Sequence, residues 1–384
     1  MPRIAKRVRG RWLVAAALLG ALICPQIRPP ATRASVDTPE ARVACAMSRL
    51  DLRGKVGQIM MVAVAGRQLS RHMATLLRTW QAGGIVLFSR NVGTQGDLQA
   101  LIAGAQRAAP LPLLVATDQE GGPVVRIRVG LTPLPAAAFY GQLGSPSRVY
   151  DDTRTQGLAL RSLGVNLDLA PVVDVKGISN SAIGRRSFGP DPELDAALVA
   201  AAVRGYQSAG IGATAKHFLG LGLVRQNADL GLPVVKASRA QLEAGPLVPM
   251  RSAVQANVAA MMITRVVIPA LDPTGVTAYA SPTMIHNVVR GELGFTGLLL
   301  TDSLLSQSVL DGPGARVAAV AALRAGDDML LLASGEAMDE PEITQAIDAV
   351  GEAVALGHIP VSRLDDAVLH VLRLKARLNL LPAC

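Results

Sequence analysis

Aromatic side chains make up only 3% of this 384-residue chain, with two Trp, four Tyr and five Phe. Trp12 falls in an N-terminal apolar run, so Trp80 is the only Trp left to a mature protein. This argues against a long groove that grips a polymer by stacking successive rings and for a compact pocket. Long apolar runs are missing too. The longest early one, Trp12–Ile23, is too short to cross a bilayer as a mature helix but suits the core of an export signal, with Arg3, Lys6, Arg7, Arg9 and Arg11 around its start. Acidic residues are absent from residues 1–34, which hold seven of the Lys and Arg. Removing them takes the formal charge from +9 to +2 and with it any argument for nucleic acid as a partner.

Residues 1–34 thus read as a signal peptide. Cleavage fits after Ala34, where Thr32 and Ala34 supply small residues, while lipidation at Cys24 would follow a poorly suited Ile23. The expectation is an exported protein, extracellular or in the cell envelope, membrane-attached only if Cys24 is lipidated. Cysteine is equally sparse. Of three Cys, Cys24 lies in or beside the signal, leaving Cys45 and Cys384, which an oxidising compartment favours as a disulfide over two free thiols.

Half of the chain is hydrophobic, enough for a sizeable core. Short apolar runs recur at Ile59–Val64, Ile85–Phe88, Leu113–Thr117, Leu167–Val173, Gly212–Ala215, Ala259–Ile263, Leu298–Thr301 and Met329–Leu332. Each reads as a parallel strand buried on both faces. Between them lie amphipathic stretches such as Pro192–Ala209 and Pro246–Asn257 that open near a Pro. Eight strands alternating with helices predict an α/β fold, a single closed (β/α)₈ barrel of TIM type. Helical patterns over Glu342–Ala355 and Val361–Leu378 finish the chain without room for a second domain. The predicted organisation is a signal over 1–34, a tether over 35–46 and a barrel over 47–384.

In such a barrel, function gathers where strands end. The third strand opens into Asp118-Gln119-Glu120-Gly121-Gly122 with Arg126 following, and the fourth leads through Asp174 to Ile183-Gly184-Arg185-Arg186-Ser187-Phe188-Gly189. The fifth ends in Lys216-His217-Phe218, the sixth reaches Thr264-Arg265, and the seventh delivers Thr301-Asp302-Ser303. Singly these have ordinary explanations: a helix cap, a glycine turn, a loop pair, a surface charge. Together they aim at one cleft. Asp118, Arg126, Arg186, Lys216 and His217 suit the hydroxyl and amide groups of a sugar, and Asp302 is a carboxylate beside cations. Of five His, only His217 lies at a strand end, so a metal site lacks its ligand spacing, and no metal or cofactor is expected.

These motifs, from about residue 52 to 335, resemble the landmarks of the β-N-acetylhexosaminidases of glycoside hydrolase family 3, in their order and spacing. The resemblance implies a retaining exo-glycosidase that acts, as a monomer, on terminal β-linked N-acetylhexosamine of small or oligosaccharide substrates, including cell-wall-derived ones. It makes Asp302 the nucleophile and assigns Asp118, Arg126, Arg186, Lys216 and His217 to sugar binding. It also shows departures. Members usually read KHFPGHGD and then Asp-Ser-His, whose His is the acid/base on a mobile loop. Here Lys216-His217-Phe218-Leu219-Gly220-Leu221-Gly222-Leu223 is followed by Asn227-Ala228-Asp229. Asp229 stands at the His position and Asn227 at that of its partner Asp, while Arg265 and Pro123 replace a usual His and Arg. Asp229, with Leu221 and Leu223 as apolar neighbours, is then the substitute acid/base. The rival expectation is a sugar-binding protein that kept the pocket and lost turnover.

Overall fold

The computed structural model describes residues 37–334 and 338–384. The signal segment, Cys24 and the first two tether residues lie outside the described residues. Eight parallel strands follow in chain order: β1 Met60–Ala63, β2 Gly84–Leu87, β3 Leu114–Thr117, β4 Leu167–Asp168, β5 Gly212–Phe218, β6 Ala260–Ile263, β7 Leu298–Thr301 and β8 Leu330–Leu332. Each pairs with its sequence neighbour, and β8 returns to β1 with Met60 opposite Leu330. The remaining seam, β7 to β8, is closed by Thr301 N–H to Met329 C=O at 3.0 Å and Leu304 N–H to Leu331 C=O at 2.9 Å. Every residue of these strands is buried. That is why they appear in the sequence mainly as apolar runs, with Asp168, Lys216 and His217 as buried polar exceptions: inward residues fill the barrel and outward ones meet the helices.

The helices start where the backbone can be capped. Asp191 accepts from the N–H groups of Glu193 and Leu194 ahead of Pro192–Ser208, and Thr94 with Asp97 forms a reciprocal capping box on Gln95–Ala108. Two boundaries differ from the sequence reading. β5 runs on to Phe218, so Lys216 and His217 belong to the strand, not to a loop. The fourth run pairs as regular strand only at Leu167–Asp168; beyond it, Ala170, Pro171 and Val173 remain bonded to β5 in irregular form.

The tether expectation is corrected. Pro39–Ser48 is a helix that buries Val43 and Ala46 and packs against the last helix, Val361–Arg377. Composition hid it, although Thr38 capping Ala41 N–H, followed by Pro39, is a helix-start signal. Cys45 on this helix is bridged to Cys384, with their Cα atoms 6.0 Å apart across a separation of 339 residues. Restraining so long a loop in the unfolded chain stabilises the fold by at most about 5–6 kcal/mol. Reduction is expected to lower the melting temperature, and Cys384→Ser to lower it equally and make it insensitive to reductant. Identical melting with and without reductant would show that the bridge contributes nothing.

Candidate active site

A cavity of about 590 Å³ opens at the C-terminal end of the barrel. Its walls collect Asp118, Glu120, Arg126, Arg186, Lys216, His217, Asp229 and Asp302 from the ends of β3, β4, β5 and β7 and the loops beyond them. Glu120 and Arg126 are held by a hairpin, Gln119–Gly121 against Val124–Val125, that the sequence reading treated as a loop. Its turn requires glycine. Gly121 and Gly122 have φ of +92° and +55°, and a Cβ on Gly122 would lie 2.4 Å from that of Ala136. The side chain of Gln119 then ties the returning strand, accepting from the N–H groups of Arg126 and Ile127 and donating to Ile127 C=O.

One wall is a network of opposite charges. Lys216 Nζ lies 2.6 Å from Asp118 Oδ1 and 2.7 Å from Glu120 Oε1. Arg186 grips Glu120 through Nε at 2.7 Å and a second nitrogen at 2.8 Å, while Arg126 reaches Asp118 at 3.4 Å and stacks over Phe88. Burial by itself would push the Asp118 carboxyl up; Lys216 and then Arg126 outweigh it and bring its pKa down to about 2. Glu120 is lowered by the same balance, with Lys216 and Arg186 opposing burial. Burial would favour a neutral Lys216, but the two carboxylates more than offset it and raise its pKa. Asp118, Glu120, Lys216 and Arg186 are therefore charged at neutral pH and, with Arg126 beside them, form an array of donors and acceptors for sugar hydroxyls. Behind it, Asp168 is fully buried; Oδ1 accepts from Gln119 N–H at 2.9 Å, Oδ2 has no partner among the described residues, and burial pushes its pKa up to about 7.

His217 is oriented by a buried carboxylate. Asp174 Oδ2 accepts from the His217 backbone N–H at 3.0 Å and faces ring Nδ1 at 2.8 Å, while Oδ1 accepts from Leu221 N–H at 2.9 Å. Arg186 offers only N–H donors toward His217 Nε2, 3.4 Å away. The tautomer that satisfies both neighbours carries hydrogen on Nδ1 and leaves Nε2 as an acceptor.

Two further carboxyl groups complete the cavity. Asp302, one residue past β7, receives the Thr264 hydroxyl at 2.6 Å on Oδ2 and the Ser303 N–H at 2.8 Å on Oδ1, which fix its orientation. Asp229 stands at the rim, where its side chain still meets solvent. The protein around it and then the charge of Asp302 push its pKa up. Asn227 makes no hydrogen bond to that carboxyl but accepts from Asp229 N–H at 3.0 Å. Leu221 lines the cavity as expected; Leu223 instead lies against Gly177, and Arg265 is not among the lining residues. The structure thus gathers every residue proposed for the site around one space. The sequence reading passed over Glu120, Asp174 and Thr264 as site groups, although all three stood in quoted strand-end segments. Among the described residues, the one trio with ligand-like spacing, Asp328, Asp366 and His370, is outside the cavity, with Asp328 and Asp366 already paired to arginines.

Residues 51–374 match the model of the glycosyl hydrolase family 3 N-terminal domain. A β-hexosaminidase of Stenotrophomonas maltophilia is 35% identical over 294 residues, covering 73% of this chain and 85% of that protein. One from Alkalilimnicola ehrlichii is 37% identical over 296 residues, covering 75% and 82%. Among solved structures, a family 3 β-N-acetylglucosaminidase from Paenibacillus superposes with a TM-score of 0.84 at 35% identity, covering 87% of this chain, which spans 64% of that longer one. A β-N-acetylhexosaminidase from Beutenbergia cavernae gives 0.76 at 28% identity, covering 84% and 98%.

Proposed function

The chain belongs to glycosyl hydrolase family 3, and from that premise we propose that it is a retaining exo-glycosidase hydrolysing terminal β-linked N-acetylglucosaminides. The observation that carries this reading is the pairing of Asp302 and Asp229 in one cavity with the Asp118–Glu120–Lys216–Arg186 network. The network, with Arg126 and His217, holds the terminal sugar. Asp302 attacks the anomeric carbon; as the bond to the leaving oxygen breaks, the protonated Asp229 carboxyl gives that oxygen its proton. A glycosyl-enzyme ester remains. Water then attacks the same carbon, Asp229 takes its proton, and Asp302 is released as carboxylate.

The raised pKa of Asp229 supports the first step, which needs the acid form, and its access to solvent supports the second. The charges of residues 1–34 support export and an envelope-side substrate such as cell-wall-derived sugar. The rival reading, a sugar-binding protein without turnover, rests on Asn227, which serves the loop backbone instead of the Asp229 carboxyl. The test is hydrolysis of a nitrophenyl β-N-acetylglucosaminide by purified protein. Phenolate release well above the buffer rate is expected, with none from the α-anomer. Saturable binding of N-acetylglucosamine without phenolate release would establish the binding protein instead.

A further inference from the structure

Beyond the residues that face the cavity, we propose that Ser308 is a positioning residue that sets the distance between Asp229 and Asp302. The inference rests on the reading of Asp229 as the acid/base. The segment that follows β5 carries Asp229 on an exposed stretch: residues 225–227, 229 and 230 are open to solvent. Contacts at both ends pin its neighbourhood to the barrel, and Ala182 N–H to Val224 C=O at 2.7 Å adds to the hold at the start. At the start, Leu221 N–H is held by Asp174 Oδ1 at 2.9 Å. At the end, Ser308 makes a double contact: its hydroxyl donates to Ala228 C=O at 2.6 Å, and its backbone N–H donates to Asp229 C=O at 2.8 Å. Ala228 and Ser308 are both buried, 4% and 5% exposed, the one covered anchor in an otherwise open run.

The donor side is equally specific. Ser308 lies in the first turn of the short helix Gln307–Leu310, so its N–H has no partner within that helix and is free for Asp229. The segment leading to it is fastened to β8: Leu304 N–H bonds Leu331 C=O at 2.9 Å and the Ser303 hydroxyl bonds Ala333 C=O. Asp302 begins that segment. The two candidate catalytic carboxyls are therefore joined by a short path, Asp302 through a fastened loop to Ser308 and across two hydrogen bonds to Asp229. With its N–H on Asn227 and its C=O on Ser308, Asp229 keeps only side-chain rotation. A retaining mechanism works with its carboxyls roughly 5–5.5 Å apart, and a misplacement of about 1 Å costs on the order of 100-fold.

The plain alternative is that Ser308 only packs a loop, and leaving-group dependence separates the two. Aryl β-N-acetylglucosaminides with progressively poorer leaving groups are measured with wild type, Ser308→Ala, Ser308→Thr and, for the coupling, Asp229→Ala with and without Ser308→Ala. Ser308→Ala is expected to lower kcat/KM on the poorest leaving group by about 10-fold or more, to change the activated substrate little, and to leave sugar affinity and melting temperature nearly unchanged. Ser308→Thr, which keeps the hydroxyl, is expected to recover most of the loss. In the Asp229→Ala background the same substitution is expected to add nothing. Equal losses across the series, additive effects with Asp229→Ala, or a Ser308→Ala enzyme like wild type would overturn the proposal while the glycosidase reading stands. A wild type silent on the activated substrate would overturn that reading and Ser308 with it. Should Ser308→Ala not fold, a Ser308→Thr enzyme with losses equal across leaving groups is the overturning result.

Discussion

Asp302→Asn is expected to lower kcat/KM, even on activated aryl β-N-acetylglucosaminides, by on the order of 10⁴-fold or more. The amide keeps the size and shape of the carboxyl, and its oxygen can still accept from Thr264 or Ser303, whose bonds at 2.6 and 2.8 Å orient the wild-type group. What it loses is the ability to form an ester with the anomeric carbon. Good leaving groups do not compensate, because departure of the aglycone is not the step that fails. The clamp residues are untouched, so sugar affinity should persist, and a melting temperature close to wild type would show that the fold has survived. A complementary measurement is the mass of protein quenched during turnover of a slow substrate: wild type should gain one sugar residue on the peptide that contains Asp302. Near-normal turnover by Asp302→Asn, or a sugar found on another residue, would remove Asp302 from the nucleophile's role.

Asp229→Ala should divide substrates by their leaving groups. For poor ones, which depart only with a proton, the expected loss is about 10²–10⁴-fold; for activated phenolates it is far smaller in the glycosylation step. The second step then becomes slow, since water lacks its base, and azide, which needs none, should restore part of the turnover as glycosyl azide. The pH profile has a worked sign. The first step uses the protonated carboxyl, so kcat/KM on poor leaving groups falls as pH rises through the Asp229 pKa. Burial of its surroundings and the charge of Asp302 raise that pKa, so the fall lies above the ordinary carboxyl range. In Asp229→Ala that limb should vanish. Losses equal for good and poor leaving groups, no azide product and an unchanged limb would point to a rim carboxylate without a catalytic part.

The second substitution also shows how differently two motifs can be read. Lys216-His217 and Asp302 are legible because they sit directly at the ends of apolar strands, where the chain's own pattern marks the mouth of the barrel. Asp229 has no such marker: it lies on an irregular stretch after β5, and only the count from Lys216 singles it out. The helix at Pro39–Ser48 failed for another reason, since Thr38-Pro39 carried a start signal that the mixed composition around it obscured.

By itself, then, the sequence determined the architecture: eight runs buried on both faces, separated by capped amphipathic helices, leave little besides a closed barrel with its polar residues at the strand ends. Those signals are local, because burial repeats with the period of each element and can be read within a few residues. Only the tertiary structure decided who meets whom. Arg186 finds Glu120 across 66 residues, His217 finds Asp174 across 43, and Ser308 finds Ala228 across 80. Such pairs leave no periodic trace, since either partner would look the same as a capped or solvated group. They exist because barrel closure brings the ends of separate strands to one rim, where a buried charge or an open loop must find its partner on a neighbouring strand rather than along its own.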